Sequence, residues 1–310
     1  MKRGLYTGQF GCFYIEPKND PGAFDQELFL TLHDWNAYMG GGADSSMDAL
    51  YDYATIGDHM LGHGDPICVR AGQQVLFRVL NASATMTHWL ALAGHDLTVV
   101  AMDGNAVPVQ ARVKAVRVAP AERVDLMVEM NQAGVWVLGE TRAEIRKSGM
   151  GVVVEYAGQR GEPRWIDPPE MLWDYRPFAK QEASPERPDM RIPLVFTSKF
   201  RGHGDFDYWM INGKSYPKTD TIALDEGKRY RLVMQNKSTD DHPVHLHRHT
   251  FDVTTLEGKP MSGLHKDVVV VKANSTAEID FVTSNPGPTL FHCHQQSHMD
   301  FGFMMLFRYR

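Results

Sequence analysis

Two histidine-rich stretches constrain the fold of this chain more than any other feature of its sequence. They span residues 242–249 and 292–298, and together they hold seven of the fourteen histidines and one of the three cysteines. Successive side chains of an extended strand point to opposite faces of a sheet. In a strand over 292–294, the two imidazoles share one face and the Cys293 thiol takes the other. One strand would therefore contribute to two separate sites.

The upstream stretch divides between two faces in the same way. His242 has an even residue number, whereas the next two histidines, His245 and His247, have odd ones. Pairing the two strands predicts two clusters of metal-binding side chains. The first is a thiolate and two imidazoles, a set typical of blue-copper electron-transfer centres: His242, Cys293 and His298. The second is four imidazoles, which suit copper bound to oxygen species: His245, His247, His292 and His294. Because Cys293 is covalently joined to both of its neighbours, an electron at the first cluster has a through-bond route to the second.

The spacing of these residues resembles that of a known protein family. His-Pro-Val-His-Leu-His at 242–247, followed by His-Cys-His-x-x-x-His-x-x-x-Gly at 292–302, is similar to the paired C-terminal signature of the multicopper oxidases, the laccase-like family. The resemblance implies that the first cluster binds a type 1 copper. It also implies that the second cluster belongs to a trinuclear copper centre, with His245 as a type 2 ligand and the type 3 ligands His247, His292 and His294.

The activity that the resemblance implies is that of a copper-dependent oxidoreductase. Such an enzyme takes single electrons from phenols, aromatic amines or low-valent metal ions at the type 1 copper and reduces dioxygen to water at the trinuclear centre. Cys293 would relay the electrons, and His292 and His294 would belong with it to the catalytic group. The alternative is a non-catalytic copper-binding or electron-transfer protein that uses the type 1 site alone.

The chain departs from the family pattern at two places close to the ligands. The axial position beside the type 1 copper, often Met in the family, is Phe303, which cannot coordinate a metal. We therefore expect a relatively high type 1 reduction potential. The family often has an acidic residue directly after His-Cys-His that assists proton delivery to oxygen. Gln295 and Gln296 stand there, which leaves Asp300 as the nearest acid.

The trinuclear centre would be incomplete with the histidines of this chain alone. In the family it uses eight histidines, four of which come from a first domain, and no His-x-His outside the two stretches could supply them. We therefore expect a partner domain or subunit to complete the site, and the isolated chain to be inactive in dioxygen reduction without it.

Short apolar stretches at regular spacing predict an all-β chain. They are bounded by Gly, Asn and Pro, a pattern typical of a β-sandwich. The resemblance implies two Greek-key cupredoxin-like sandwiches in tandem. We expect a cupredoxin-like domain without copper ligands at 20–160, a linker at 161–191 and a copper-binding domain at 192–310. Residues 1–19 resemble the terminal strand of a first cupredoxin domain whose body is missing.

Charge and hydropathy exclude some partners. The net charge is -6 and there is no basic run, which argues against nucleic acid and anionic membranes as partners. No apolar stretch is long enough to span a bilayer. The resemblance implies a small-molecule or metal-ion reductant and O2 as partners, and a periplasmic or secreted location.

Other residues of metal-binding type have simpler interpretations. Cys and His at this spacing also suit tetrahedral zinc, although the paired motif favours copper. Cys12 and Cys68 are either a disulfide pair or core thiols, and the sequence does not decide between them. Asp240 and Asp241 either hold an electron-rich substrate or are solvated turn residues. Five isolated histidines are expected to be hydrogen-bonded strand or loop residues: His33, His88, His95, His203 and His265.

Overall fold

The computed structural model describes residues 4–16, 18, 23–39, 49–180, 186–199 and 208–310, and most of the regular structure in these ranges is β-strand. The all-β prediction is thus confirmed. The chain divides into two compact units, one of residues 1–38 and 51–178 and the other of residues 39–50 and 179–310. No helix in the described ranges is long and apolar enough to cross a membrane.

The first unit consists of two sheets. Its larger sheet has six strands, in the spatial order β4 (Tyr53–Ile56), β1 (Gln26–Trp35), β6 (Gln74–Asn81), β11 (Arg123–Glu129), β8 (Leu97–Met102) and β9 (Asn105–Val113). The smaller sheet has five, in the order β10 (Val116–Val118), β7 (His88–Leu92), β12 (Val135–Glu140), β13 (Gly151–Tyr156) and β5 (Ile67–Val69). Helix α1 (Ala143–Lys147) follows β12. A separate pair of short strands is formed by β2 (Tyr38–Met39) and β3 (Ala49–Leu50).

The second unit repeats this two-sheet plan. Its larger sheet contains, in order, β15 (Tyr208–Ile211), β14 (Met190–Lys199), β17 (Arg229–Asn236), β23 (Thr276–Val282), β19 (Phe251–Leu256) and β20 (Lys259–Pro260), with β21 (His265–Lys266) also paired to β19. Its smaller sheet contains β16 (Ile222–Leu224), β25 (Met304–Tyr309), β24 (Thr289–Cys293), β18 (His242–Leu246) and β22 (Val268–Val271). Helix α2 (Gln296–Asp300) follows β24.

Alternation of apolar and polar residues explains how these sheets pack. Along β23, the side chains of Ala277, Ile279 and Phe281 are at most 1% exposed, whereas Thr276 and Val282 at its ends are exposed. Full burial of one aliphatic or aromatic side chain of this size contributes about 1.5–3 kcal/mol. The alternation therefore fixes which face of β23 is turned to the core.

Two further segments, one at the start of the chain and one in the predicted linker, lie outside the named strands. Of residues 1–19, the described part forms a 3-10 turn at Leu5–Thr7, and residues 8–16 pair with no described strand. A strand requires a hydrogen-bonded neighbour, and none reaches this segment. The boundary at residues 19 and 20 lies outside the described residues. Within the predicted linker, Trp173, Tyr175 and Phe178 are buried in the first unit.

Candidate metal centre

Strands β18 and β24 lie side by side in the second unit and carry three of the clustered histidines: His242, His245 and His292. Their antiparallel register pairs Val244 with Cys293 and His245 with His292. Directly opposed residues of neighbouring strands lie on the same face. His242, two residues before Val244, therefore shares a face with Cys293, whereas the two paired histidines point to the other face.

Three side chains on the first face bring their ligand atoms together. Sγ of Cys293 lies 3.7 Å from Nδ1 of His242 and 3.7 Å from Nδ1 of His298, and the two nitrogens are 3.1 Å apart. His298 returns to this face because it lies on α2, directly after β24. Among the described residues, these three side chains form a group of possible metal ligands whose ligand atoms all lie within 4.8 Å of one another.

This triangle of donor atoms has the dimensions of a metal site. First-row metals bind imidazole nitrogen at about 2.0 Å and thiolate sulfur at about 2.3 Å, so trigonal angles would separate the two by about 3.7 Å. The observed separations match. Structural zinc takes four ligands, and the described residues offer three here. Two imidazoles and one thiolate in a trigonal arrangement fit copper of the blue type better.

All three candidate ligands are withdrawn from solvent. His242 and Cys293 are 0% exposed and His298 is 5% exposed. Burial lowers the pKa of His242 to about 3 and lowers the pKa of His298 well below its ordinary value. Both imidazoles are therefore neutral and able to coordinate a metal near pH 7. Burial also raises the pKa of the Cys293 thiol, so an incoming metal must displace its proton.

A hydrogen-bonded loop fixes the ring of His242. The hydroxyl of Ser238 donates to Oδ1 of Asn236 at 2.8 Å and lies 2.8 Å from Nε2 of His242. Because this hydroxyl has donated its hydrogen, it accepts from the Nε2–H group, and Nδ1 keeps its lone pair for a metal. Such hydrogen bonds orient a ligand and raise its affinity.

Two aromatic side chains enclose the triangle. The ring of Trp209 lies 3.8 Å from that of His298 and 4.9 Å from that of His242. The ring of Phe303 is fully buried 4.6 Å from that of His242, and it offers no donor atom. Sequence reasoning missed Trp209, because it belongs to β15 in the other sheet and shares no motif with the ligands.

On the opposite face, four imidazoles gather into a second cluster: His245, His247, His292 and His294. Neighbouring rings within it have centroids 4.8 to 5.6 Å apart. Nε2 of His247 lies 3.0 Å from Nε2 of His292. No three of the four bring their ligand atoms within 4.8 Å of one another, which distinguishes this cluster from the first.

Backbone carbonyls orient the rings of the second cluster. Nδ1 of His245 lies 2.7 Å from the carbonyl of Asp267, and Nδ1 of His292 lies 2.9 Å from the carbonyl of Cys293. A carbonyl only accepts, so each Nδ1 carries the hydrogen and each Nε2 keeps a lone pair. Burial lowers the pKa of His292 to about 4 and also lowers the pKa of His247. His247 and His292 thus present neutral imidazoles, which is the form that binds metal.

The remaining candidate residues lie around these clusters. Asp300 ends α2 and accepts a hydrogen bond from Nε2 of Gln296 at 3.0 Å. Oδ1 of Asp241 accepts the backbone N–H of Ala273 at 2.9 Å. Cys12 and Cys68 are exposed and form no disulfide. His203 lies outside the described residues. Three of the isolated histidines make hydrogen bonds: His33, His88 and His95.

Comparison with known sequences gives a consistent result over most of the chain. Two family profiles, each described as multicopper oxidase, match residues 27–153 and 187–310. The multicopper oxidase MmcO of Mycobacterium tuberculosis (strain ATCC 25618 / H37Rv) is 26% identical over 323 residues, covering 92% of this chain and 62% of MmcO. Laccase-3 of Thanatephorus cucumeris is 24% identical over 331 residues, covering 77% of this chain and 56% of that laccase. The chain therefore spans less than two thirds of these relatives.

Solved structures share the fold. The crystal structure of Fet3p, described as a multicopper oxidase that functions in iron import, has a TM-score of 0.79 at 18% identity and covers 95% of this chain and 68% of that one. A crystal structure of laccase from Botrytis aclada has a TM-score of 0.71 at 17% identity and covers 92% of this chain and 64% of that one. These likenesses confirm the prediction of tandem cupredoxin-like sandwiches.

Proposed function

The chain belongs to the multicopper oxidase family, and we propose that it is the electron-accepting part of a laccase-like oxidase. The position of Cys293 carries this proposal. Its thiol faces the first cluster, while His292 and His294, its covalent neighbours, lie in the second. Bound copper would supply one-electron redox chemistry at the first cluster and the reduction of dioxygen to water at the second.

At the first cluster, the protein's part is to hold and shield the ion. His242, Cys293 and His298 would be its type 1 ligands, and the rings of Trp209 and Phe303 would keep water away from them. An apolar shell of this kind controls the redox potential of a metal site. Since the phenyl ring adds no ligand, we propose a relatively high potential.

Between the clusters, Cys293 would provide the path for the electron. The path runs from Sγ through the backbone to the imidazole of either adjacent histidine, and it is covalent throughout. It therefore does not depend on the packing of intervening side chains. The register that places Cys293 opposite Val244, and His292 opposite His245, keeps its two ends on opposite faces of the sheet.

The second cluster would require ligands from outside this chain. Its four imidazoles are half of the eight that a trinuclear centre of this family uses, and the chain spans only 56% to 62% of the two relatives named above. We propose that a further domain or subunit completes a trinuclear copper centre, in which His245 is a type 2 ligand and the type 3 ligands are His247, His292 and His294. Asp300, the acid nearest to the His-Cys-His motif in the sequence, is the candidate for proton delivery to oxygen.

The proposed reductant is a phenol, an aromatic amine or a low-valent metal ion. Relatives of both kinds are similar to this chain, since one is named a laccase and another is described as functioning in iron import. The proposed location is periplasmic or secreted. A type 1 electron-transfer protein is the second candidate, favoured by the observation that only the first cluster brings three ligand atoms within 4.8 Å among the described residues.

Dioxygen uptake separates these two functions. The measurement uses the copper-loaded assembly that contains this chain, with a phenol as reductant. We expect sustained uptake that is abolished by Cys293→Ser and kept by the control Cys68→Ser, whose thiol is exposed. Bleaching of the visible absorption without dioxygen uptake would contradict the oxidase and support the electron carrier.

A further inference from the structure

A histidine of the first unit, His88, occupies the position that His242 occupies in the second. Each is the first residue of its strand, and β7 lies between β10 and β12 as β18 lies between β22 and β24. Across the sheet His88 pairs with Val118, and His242 pairs with Val271. Both rings are 0% exposed. The two histidines are therefore equivalent in topology and in register.

The loop before each histidine is held by the same hydrogen bonds. In the first unit, Oδ1 of Asn81 accepts the backbone N–H of Ser83, and the serine Oγ lies 3.1 Å from Nε2 of the histidine. In the second unit, Oδ1 of Asn236 accepts the backbone N–H of Ser238, and the serine Oγ lies 2.8 Å from Nε2 of the histidine. The same ring nitrogen thus faces a serine hydroxyl in both units, and Nδ1 faces the next strand.

On that next strand, a glutamate stands where the second unit has its cysteine. Glu140 lies opposite Leu90, which is two residues after His88. Cys293 lies opposite Val244, which is two residues after His242. Oε2 of Glu140 lies 3.0 Å from Nδ1 of His88, the nitrogen that corresponds to the one facing Sγ in the second unit. Glu140 and Cys293 are both 0% exposed.

The turns after these two strands also match residue by residue. Each contains a helix that begins three residues after the glutamate or the cysteine. The backbone N–H of Met150 donates to the carbonyl of Ile145 at 3.2 Å, and the backbone N–H of Phe303 donates to the carbonyl of His298 at 2.9 Å. The first unit therefore has Ile145 at the position of the second imidazole ligand and Met150 at the position proposed as axial.

Without a thiolate, His88 lies between two carboxylates. Its Nδ1 is 3.0 Å from Oε2 of Glu140 and its Nε2 is 2.9 Å from Oδ2 of Asp34. Carboxylates only accept, so the ring satisfies both when each nitrogen carries a hydrogen. Burial alone would lower the pKa of His88, but the two carboxylates outweigh it and raise the pKa to about 9. Nη2 of Arg142 donates to Oε2 of Glu140 at 2.9 Å, so Arg142 balances the second negative charge. Burial lowers the pKa of the neighbouring His33.

We propose that the first unit closes this position with a buried imidazolium where the second unit has a metal site. Protonated His88, on β7, would join Asp34 of β1 to Glu140 of β12, as a bound ion would join the ligands of the second unit. The two carboxylates approach opposite nitrogens of one ring, so they cannot bind a single ion together with it. The first unit would thus be stable without metal, whether or not the chain is an oxidase.

The protonation state of His88 in the unmodified chain is the first test. Nitrogen-15 NMR of histidine-labelled protein would follow the signal of His88. That signal is assigned as the one that is lost in His88→Gln and shifted in Asp34→Asn. We expect both ring nitrogens to carry a proton at pH 7 and the signal to titrate about 2.5 pH units above an ordinary histidine. A ring with one unprotonated nitrogen at pH 7 would overturn the proposal.

Equivalence of the two positions is tested by building the missing ligands into the first unit. In a Cys293→Ser background, the triple variant Asp34→Ser, Glu140→Cys and Ile145→His would place a thiolate and two imidazoles in the first unit. Asp34 is replaced by serine because Ser198 of the second unit occupies the corresponding position in strand register. We expect about one copper per chain with visible thiolate absorption, bound at least about tenfold more tightly than without Ile145→His. A folded variant without thiolate-bound copper would overturn the equivalence, and if the variant does not fold, the NMR result decides.

Discussion

Alkaline pH should destabilise the first unit selectively, because folded His88 holds a proton that the unfolded chain releases. Its pKa is about 9 in the folded protein and 6.5 ordinarily. A raised histidine pKa stabilises the fold fully below pH 6.5, and this contribution disappears as the pH rises through 9. Each pKa unit corresponds to about 1.4 kcal/mol, so the shift contributes about 3 kcal/mol. That is a large part of the stability of a domain, about 5–15 kcal/mol in total.

Denaturant unfolding followed by tryptophan fluorescence measures this effect, because five of the six tryptophans lie in the first unit. We expect its free energy of unfolding to fall by about 3 kcal/mol between pH 7 and pH 10. His88→Gln should lose about 3–5 kcal/mol at pH 7, since it leaves two buried carboxylates short of a cation, and should show no further alkaline fall. The control His95→Gln should keep the fall, since burial lowers the pKa of His95. An equal alkaline fall in His88→Gln and the unmodified chain would refute the reasoning.

Three further predictions concern the first cluster. Phe303→Met should lower the reduction potential of the bound copper by offering an axial thioether; redox titration of the visible absorption measures this, and an unchanged potential contradicts it. Ser238→Ala removes the hydroxyl facing Nε2 of His242 and should weaken copper binding about tenfold or more, so equal affinity in a competition titration would count against the role of this hydrogen bond. Trp209→Ala opens a void against the ring of His298 and should lower the free energy of unfolding of the second unit by about 3–5 kcal/mol. Denaturant titration followed by circular dichroism measures this loss. A loss below about 1 kcal/mol would mean that the indole is not packed as described.

Strand parity in the sequence is sufficient to sort the clustered residues that lie on β18 and β24 between two faces, whereas His298 reaches its face from helix α2. His242 and His245 lie an odd number of residues apart on one short strand. The register with β24 sets His245 opposite His292 and Val244 opposite Cys293, which places His242 on the face of Cys293. Trp209 and Ser238 carry no such signal. They reach the ligands from another sheet and from a loop, and contacts of that kind depend on tertiary packing that local sequence patterns do not encode.

His88 shows how a site can be hidden from sequence motifs. As an isolated histidine it is predicted to be a hydrogen-bonded residue, and the structure shows those bonds. Its equivalence to His242 is visible only in strand register, because Glu140 and Ile145 stand where a motif would need cysteine and histidine. Residues 8–16 pair with no described strand, and the assignment of residues 1–19 to a first cupredoxin domain stays a prediction.

Copper content with the visible spectrum tests the central claim most directly. After reconstitution and removal of loosely bound metal, the isolated chain should hold about one copper with strong thiolate absorption, and Cys293→Ser should lose both. An assembly that completes the second cluster should hold about four. A colourless chain, or absorption that survives Cys293→Ser, would contradict the assignment of Cys293 as the ligand that connects the two clusters.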